Sequence, residues 1–239
     1  MRNMKKMRNI SGSISKAAFL LLVLGLLTQL SAQEVVVKEV TEQDTLRTYG
    51  PRIGIDLARF LFILADPSQT GAELSLDFEV YNNIYPVFEA GYNSISESED
   101  LFDYSSGGVY GRVGLDYNVL RVKKRSLHHS ITMGFRYGMS VFTQRAENVF
   151  IPGDYWDYSE PEPYENNLTG HWAELVGAMK AELLPNIFLG WSVRYKLLLN
   201  PNMDPLMSPE LVPGYGTGGK SSMFGLTYSI YYKIPILKK

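Results

Sequence analysis

Two sets of residues in this chain have types and spacing suited to chemistry. His128 and Ser130 lie close enough in sequence for an imidazole and a hydroxyl to meet as general base and nucleophile. The second set is larger: Arg52, Asp56, Glu73, Asp77, Glu79, Glu89, Arg112, Asp116, Arg136, Glu174, Lys180, Glu182, Arg194, Lys196 and Lys233. These seven bases and eight acids share one phase of alternating stretches. Opposite charges gathered away from water pair tightly and shift each other's protonation, a property of catalytic centres and of ion-paired cores alike. Which of the two applies depends on the elements that hold them.

Those elements read as strands. Residues Phe224 to Ile234 alternate strictly, with Phe224, Leu226, Tyr228, Ile230, Tyr232 and Ile234 facing one way and Gly225, Thr227, Ser229, Tyr231 and Lys233 the other. Period-2 alternation recurs in eight segments, near 51–64, 71–81, 84–95, 108–120, 129–145, 169–183, 187–199 and 221–235. Each reaches the roughly 9 to 11 residues that a tilted strand needs to cross a bilayer. An even count lets an antiparallel sheet close with both termini on one side, which removes unpaired edges from hydrocarbon.

The connections alternate in length. Links at Asn82-Asn83, Arg121 to His128 and Leu184 to Asn186 are short, whereas Ser96 to Gly107, Asn148 to Leu168 and Asn200 to Lys220 are long. Short periplasmic turns and long extracellular loops are the asymmetry of outer-membrane barrels; the first outer link, Ala65 to Thr70, is shorter than that pattern predicts. Arg121, Lys123, Lys124 and Arg125 crowd one turn, while Asp154, Asp157, Glu160, Glu162 and Glu165, with no base among them, make the stretch from Asn148 to Leu168 acidic. Tyr155, Trp156 and Tyr158 at one end, and Tyr231 and Tyr232 at the other, suit interfacial aromatic girdles.

The amino terminus carries Arg2, Lys5, Lys6, Arg8 and Lys16 before an apolar run from Ala17 to Leu27 and the sequence Leu30-Ser31-Ala32-Gln33. This is the pattern of a cleaved signal peptide over residues 1–32. A short periplasmic tail over 33–48 and a barrel domain over 49–239 would follow. The chain has no cysteine, which excludes a lipoprotein anchor, disulfides and thiol chemistry. Cleavage after Ala32 removes five of the 23 bases and none of the 25 acids, leaving a formal charge of −7. An acidic mature chain lacks the basic face that nucleic acid requires.

An all-β, eight-stranded antiparallel transmembrane barrel therefore places the fifteen charges inside. In so narrow a lumen a nearly balanced set pairs off and plugs the channel. Gly54, Gly91, Gly111, Gly114, Gly134, Gly138, Gly190 and Gly225 lie within the strands, and most fall on the same inward phase, where they leave room for long side chains. Three histidines without metal-ligand spacing predict no metal site, and no motif predicts a cofactor. His171 shares the phase of Ala173, Leu175 and Met179 and should face lipid or headgroups. The acidic loop from Gly153 to Tyr164 reads as solvated, and Gly214 to Gly219 as a flexible surface loop without the Lys-Ser/Thr ending of a phosphate loop.

Four resemblances extend this reading. His128 and Ser130 resemble the base and nucleophile of barrels that deacylate lipid A, which implies a lipid-modifying alternative. The pair nevertheless falls at the periplasmic end of a strand, away from the outer leaflet. Asp44-Thr45-Leu46 resembles a Bacteroidota O-glycosylation acceptor, implying a modified Thr45. The stretches Pro51 to Leu57, Asp77 to Tyr92 and Gly111 to Tyr117 resemble an uncharacterised Bacteroidota family of outer-membrane barrels, a domain of unknown function. That resemblance implies a barrel and no known activity. Gly225-x-x-Tyr228-x-Ile230 also resembles the signal read by the barrel-assembly machinery. The expected partners are outer-membrane lipid and lipopolysaccharide, that machinery during biogenesis and an extracellular ligand. The alternatives to a structural or surface-interaction role are the lipid-modifying enzyme and a narrow channel.

Overall fold

The computed structural model describes residues 48–59, 68–81, 83–99, 102–120, 129–148 and 163–238. The expected signal peptide, Thr45, the basic turn with His128, and Tyr155, Trp156 and Tyr158 lie outside the described residues. In chain order the strands are β1 (Thr48–Tyr49), β2 (Arg52–Asp56), β3 (Gln69–Asp77), β4 (Ile84–Glu99), β5 (Phe102–Asn118) and β6 (Ser130–Glu147). They continue as β7 (Tyr164–Leu184), β8 (Ile187–Leu198), β9 (Leu211–Val212), β10 (Gly216–Thr217), β11 (Ser222–Lys233) and β12 (Leu237–Lys238). Eight of them close into an antiparallel barrel in the order β11-β2-β3-β4-β5-β6-β7-β8. β1 pairs with β12 where the chain enters and leaves the barrel.

The alternation in sequence becomes a division between inside and outside. On β6, Ser130, Thr132, Arg136, Ser140 and Gln144 are buried, whereas Ile131, Met133, Phe135, Tyr137, Met139 and Val141 are 41 to 65% exposed. Ten residue steps from Ile131 to Val141, at about 3.3 Å each and a tilt of about 40°, give an apolar band about 25 Å tall, the thickness of a membrane-spanning barrel wall. Closure is what makes that wall compatible with lipid, because each backbone amide in it finds a partner on a neighbouring strand.

Strand ends differ from the alternation in two ways. The first strand ends at Asp56 rather than at residue 64, because residues 57–59 form a helical turn and Asp56 Oδ1 accepts a hydrogen bond from the Ala58 amide at 2.9 Å. The first outer link therefore starts at residue 57 and reaches β3 at Gln69, longer than Ala65 to Thr70. In contrast, Ser96 to Gly107 is not a long loop: Ser96 pairs with Ser105 and Glu99 with Phe102, extending the β4–β5 hairpin beyond the apolar band. β7 likewise begins at Tyr164, within the stretch expected to be a loop. Beyond the band the outward face turns polar, as at Thr143 and Arg145, so the apolar alternation disappears while backbone pairing continues and the inward Gln144 and Ala146 stay buried.

At the opposite end the turns are tight. Asn83 and Asn186 hold φ of 68° and 67°, a left-handed conformation that asparagine tolerates better than most residues. This end, with both termini of the barrel, is the terminus end below; the other is the loop end.

Candidate functional site

The barrel interior holds the charged set at three levels. At mid-height Glu89 accepts from three guanidinium groups: Arg112 at 2.6 Å, Arg194 at 2.6 and 3.0 Å, and Arg136 at 3.1 Å. Glu73 accepts from Arg112 at 2.7 Å and from the Tyr110 hydroxyl at 2.5 Å. Glu174 takes the Trp172 indole N–H at 2.7 Å and lies 3.3 Å from Arg194. Asp116 closes the group through Arg136 at 3.0 Å. Register sets one of these pairs face to face, Glu89 opposite Arg112, whereas Arg136, opposite Glu174, reaches Glu89 and Asp116 instead. A guanidinium can serve two or three carboxylates at once through its planar fork, which is why arginine rather than lysine fills the centre.

Arg59 joins this network although the alternation did not predict it. The helical turn after β2 brings its side chain to Glu73 at 2.9 Å, to Asn93, and over the Tyr110 ring at 5.4 Å. It adds an eighth base to the seven read from the alternation, so the described interior set balances its eight acids. The only sequence signal for it was Asp56 two residues before Ala58, a turn-forming acid at the end of a strand.

A second cluster lies toward the terminus end. Asp77 pairs with Arg52 at 2.5 Å and with Lys180. Lys180 lies over the Tyr231 ring at 4.4 Å, Arg52 over Tyr85 at 4.8 Å, and Lys233 over Phe188 at 5.4 Å. Tyr231 thus faces the lumen rather than the interfacial girdle, because it shares the phase of Ser229 and Lys233; Tyr232 is the outward neighbour. Glu79 and Glu182 are half-buried and hold turns: Glu79 accepts from the Asn83 amide at 3.2 Å, and Glu182 from the Asn186 amide at 3.0 Å. Ser130 is buried on the lumen side opposite Lys180.

The loop end is packed differently. Tyr110, Phe142, Leu168, Trp172 and Leu198 point inward and form an apolar cluster with Val212 and Tyr215 from the segment between β8 and β11. Gly214 to Gly219 is therefore not a flexible surface loop over its whole length: Gly214, Tyr215 and Gly218 are buried. Lys196 Nζ donates to the carbonyls of Gly214 at 2.7 Å and Tyr215 at 2.9 Å. Gly214 has φ 79° and packs so closely on the Tyr110 ring that a side chain would collide with it. Asp204 anchors the other half of the segment, accepting from Gln144 at 2.6 Å, Tyr164 at 2.5 Å and Asn166 at 3.1 Å. Burial pushes the Asp204 carboxyl up, but the hydrogen bonds from Tyr164, the Leu206 amide, Asn166 and Gln144 outweigh it and bring the group to about 2. The parity of Trp172 with Glu174, opposite Gly138, was the available sign that this level of the interior is aromatic.

A closed eight-stranded barrel with a charged interior and an apolar outer wall defines a protein of the small transmembrane β-barrel class. A family model described as a domain of unknown function, DUF6048, matches residues 13–239, and the chain belongs to that family. No curated protein matches the chain. Among solved structures it is similar to Ail, the attachment invasion locus protein of Yersinia pestis, with 9% identity, a TM-score of 0.45, and coverage of 79% of this chain and all of that one. The same protein in complex with the heparin analogue sucrose octasulfate gives 11% identity and a TM-score of 0.43, at 79% and 100% coverage. Acinetobacter baumannii CarO gives 10% identity and a TM-score of 0.36, covering 80% of this chain and all of that chain.

Proposed function

We propose that this chain is a non-conducting outer-membrane barrel of a Bacteroidota cell, exported with a cleaved signal peptide and serving a structural or surface-interaction role. Its termini face the periplasm and its long connections the exterior, where they meet lipopolysaccharide or an extracellular ligand. The barrel-assembly machinery is its partner during biogenesis. The observation that carries the reading is the buried network around Glu89, which fills the lumen with paired opposite charges rather than lining an open path with one sign. The segment between β8 and β11, held by Lys196 at Gly214 and Tyr215 and by Gln144 at its own Asp204, adds a second barrier above it.

Planar-bilayer recording from purified, refolded protein tests this reading. No resolved conductance steps are expected, whereas steady steps in the wild-type chain would make it a channel. The Ser130 hydroxyl faces the lumen rather than lipid, so its placement does not support the lipid-modifying alternative.

A further inference from the structure

The outer wall of β6, β7 and β8 turns polar before the apolar band ends. Among the described residues, the outward positions of these strands within the band carry apolar side chains or glycine, except Thr169 at the loop-end edge, opposite Val141, and His171 one outward step deeper. His171 stands opposite Met139, one outward step inside Val141, the last apolar outward residue of β6. Beyond Val141 come the polar pairs Thr143 with Asn167 and Arg145 with Glu165. His171 therefore lies about 5 Å inside the loop-end edge of the band, at the depth where lipid headgroups meet acyl chains.

The imidazole is held in place. Tyr137 Oη meets His171 Nδ1 at 2.7 Å, and the two rings stack with centroids 6.1 Å apart. Behind them Asn200 takes over where β8 stops pairing: the His171 amide donates to Asn200 Oδ1 at 2.8 Å, and Asn200 Nδ2 donates to the Thr169 carbonyl at 2.7 Å. An isolated imidazole in hydrocarbon is unfavourable, so a fixed one at this depth calls for a polar partner on its open side. The Tyr137–His171 contact admits either donor; in the tautomer where the tyrosine hydroxyl donates to Nδ1, the ring carries its proton on Nε2, on the side turned away from Tyr137.

We infer that His171 is a lipid-headgroup site, donating from Nε2 to the phosphate of a lipid in the loop-end leaflet, with Tyr137 and Asn200 as its positioning residues. Phosphate fits this donor because its oxygens are strong acceptors available at the band edge, whereas acyl chains offer none. The inference rests on the membrane reading given above.

The test uses full-length mature protein with nitrogen-labelled histidine in nanodiscs of phosphatidylglycerol, and in parallel in nanodiscs of phosphate-free galactosyl diacylglycerol. A dipolar contact between lipid phosphorus and a ring nitrogen is expected in the first, absent in His171→Phe, which identifies the signal. Native mass spectrometry should show about a tenfold loss of retained phosphatidylglycerol in His171→Phe, a difference of about 1.4 kcal/mol. Tyr137→Phe should keep the stacked ring but alter the ring-nitrogen shifts that report the tautomer, an effect a purely structural role would not produce. Met139→Ala, on the same surface, should retain lipid like the wild type. Insertion into nanodiscs without a phosphorus contact, or equal lipid retention by wild type and His171→Phe, overturns the inference and leaves the barrel reading intact. A chain that stays soluble without detergent and does not enter nanodiscs overturns both.

Discussion

Replacing Glu89 by glutamine asks whether the barrel interior is dry. The substitution keeps the shape of the side chain, removes its charge and turns an amide N–H₂ toward guanidinium groups. Glu89 takes four N–H contacts from Arg112, Arg136 and Arg194, and its side chain is 2% exposed. After the change Arg112 keeps Glu73, Arg136 keeps Asp116 and Arg194 keeps Glu174. The loss therefore corresponds to one broken buried pair rather than three, about 3–5 kcal/mol. In a water-filled lumen the same charges would be solvated and screened, and the loss would fall to about 0–1 kcal/mol. Urea unfolding of the detergent-folded barrel, followed by tryptophan fluorescence and by heat-dependent gel migration, separates the two. With a slope of at most about 3 kcal/mol per molar, Glu89→Gln should lower the midpoint by about 1 M or more. Glu165→Gln is the internal control, because its partner Arg145 is 49% exposed on the outer surface beyond the apolar band. Equal midpoints for the two variants would refute the closed, ion-paired interior.

Two further outcomes follow from packing and from the seated loop. Gly138→Ala should destabilise the barrel by about 1–3 kcal/mol, because the added methyl lands in the fully buried Trp172 indole; the folding yield and urea midpoint report it. The Asp204 carboxyl is held near 2, below its unfolded value of about 4, so it stabilises the seated loop above that unfolded value and ceases to do so as pH falls through about 2. Limited proteolysis should find the segment between β8 and β11 resistant near pH 5 and increasingly open toward pH 2, with Asp204→Asn open throughout; identical digestion of both proteins at every pH would show that Asp204 does not hold it.

The barrel was legible because lipid imposes a rule on the outer wall. Leu74, Phe88, Val113, Phe135, Leu175, Val193 and Leu226 are all exposed and outward, and each sits in an alternation visible in the sequence. The same parity placed Glu73, Glu89, Arg112 and Arg194 in the interior, although it could not tell which carboxylate would meet which guanidinium. That depends on register, and register on turns such as Pro185-Asn186. Arg59 was missed because its route inward is a helical turn rather than a strand position. The loop seat was missed for another reason: Val212, Pro213 and Tyr215 are scattered among glycines and carry no periodicity, so their burial is set by the apolar cavity left between Tyr110, Phe142 and Trp172.

That cavity explains why the interior changes chemistry along its length. Toward the terminus end, turns and cation–π contacts leave room for Arg52, Lys180 and Lys233 to meet aromatic faces. At mid-height inward glycines stand opposite large partners, Gly114 opposite Arg136 and Gly134 opposite Asp116, so guanidinium groups can reach across the lumen. Nearer the loop end, bulky inward side chains would face water if the mouth were open, exposing Trp172 and Phe142. Seating Val212 and Tyr215 there covers this apolar surface, and Lys196 then satisfies the carbonyls that the incoming backbone would otherwise bury unpaired. On the proposed non-conducting reading, opening a path through this protein would require both unseating the loop and breaking the Glu89 network.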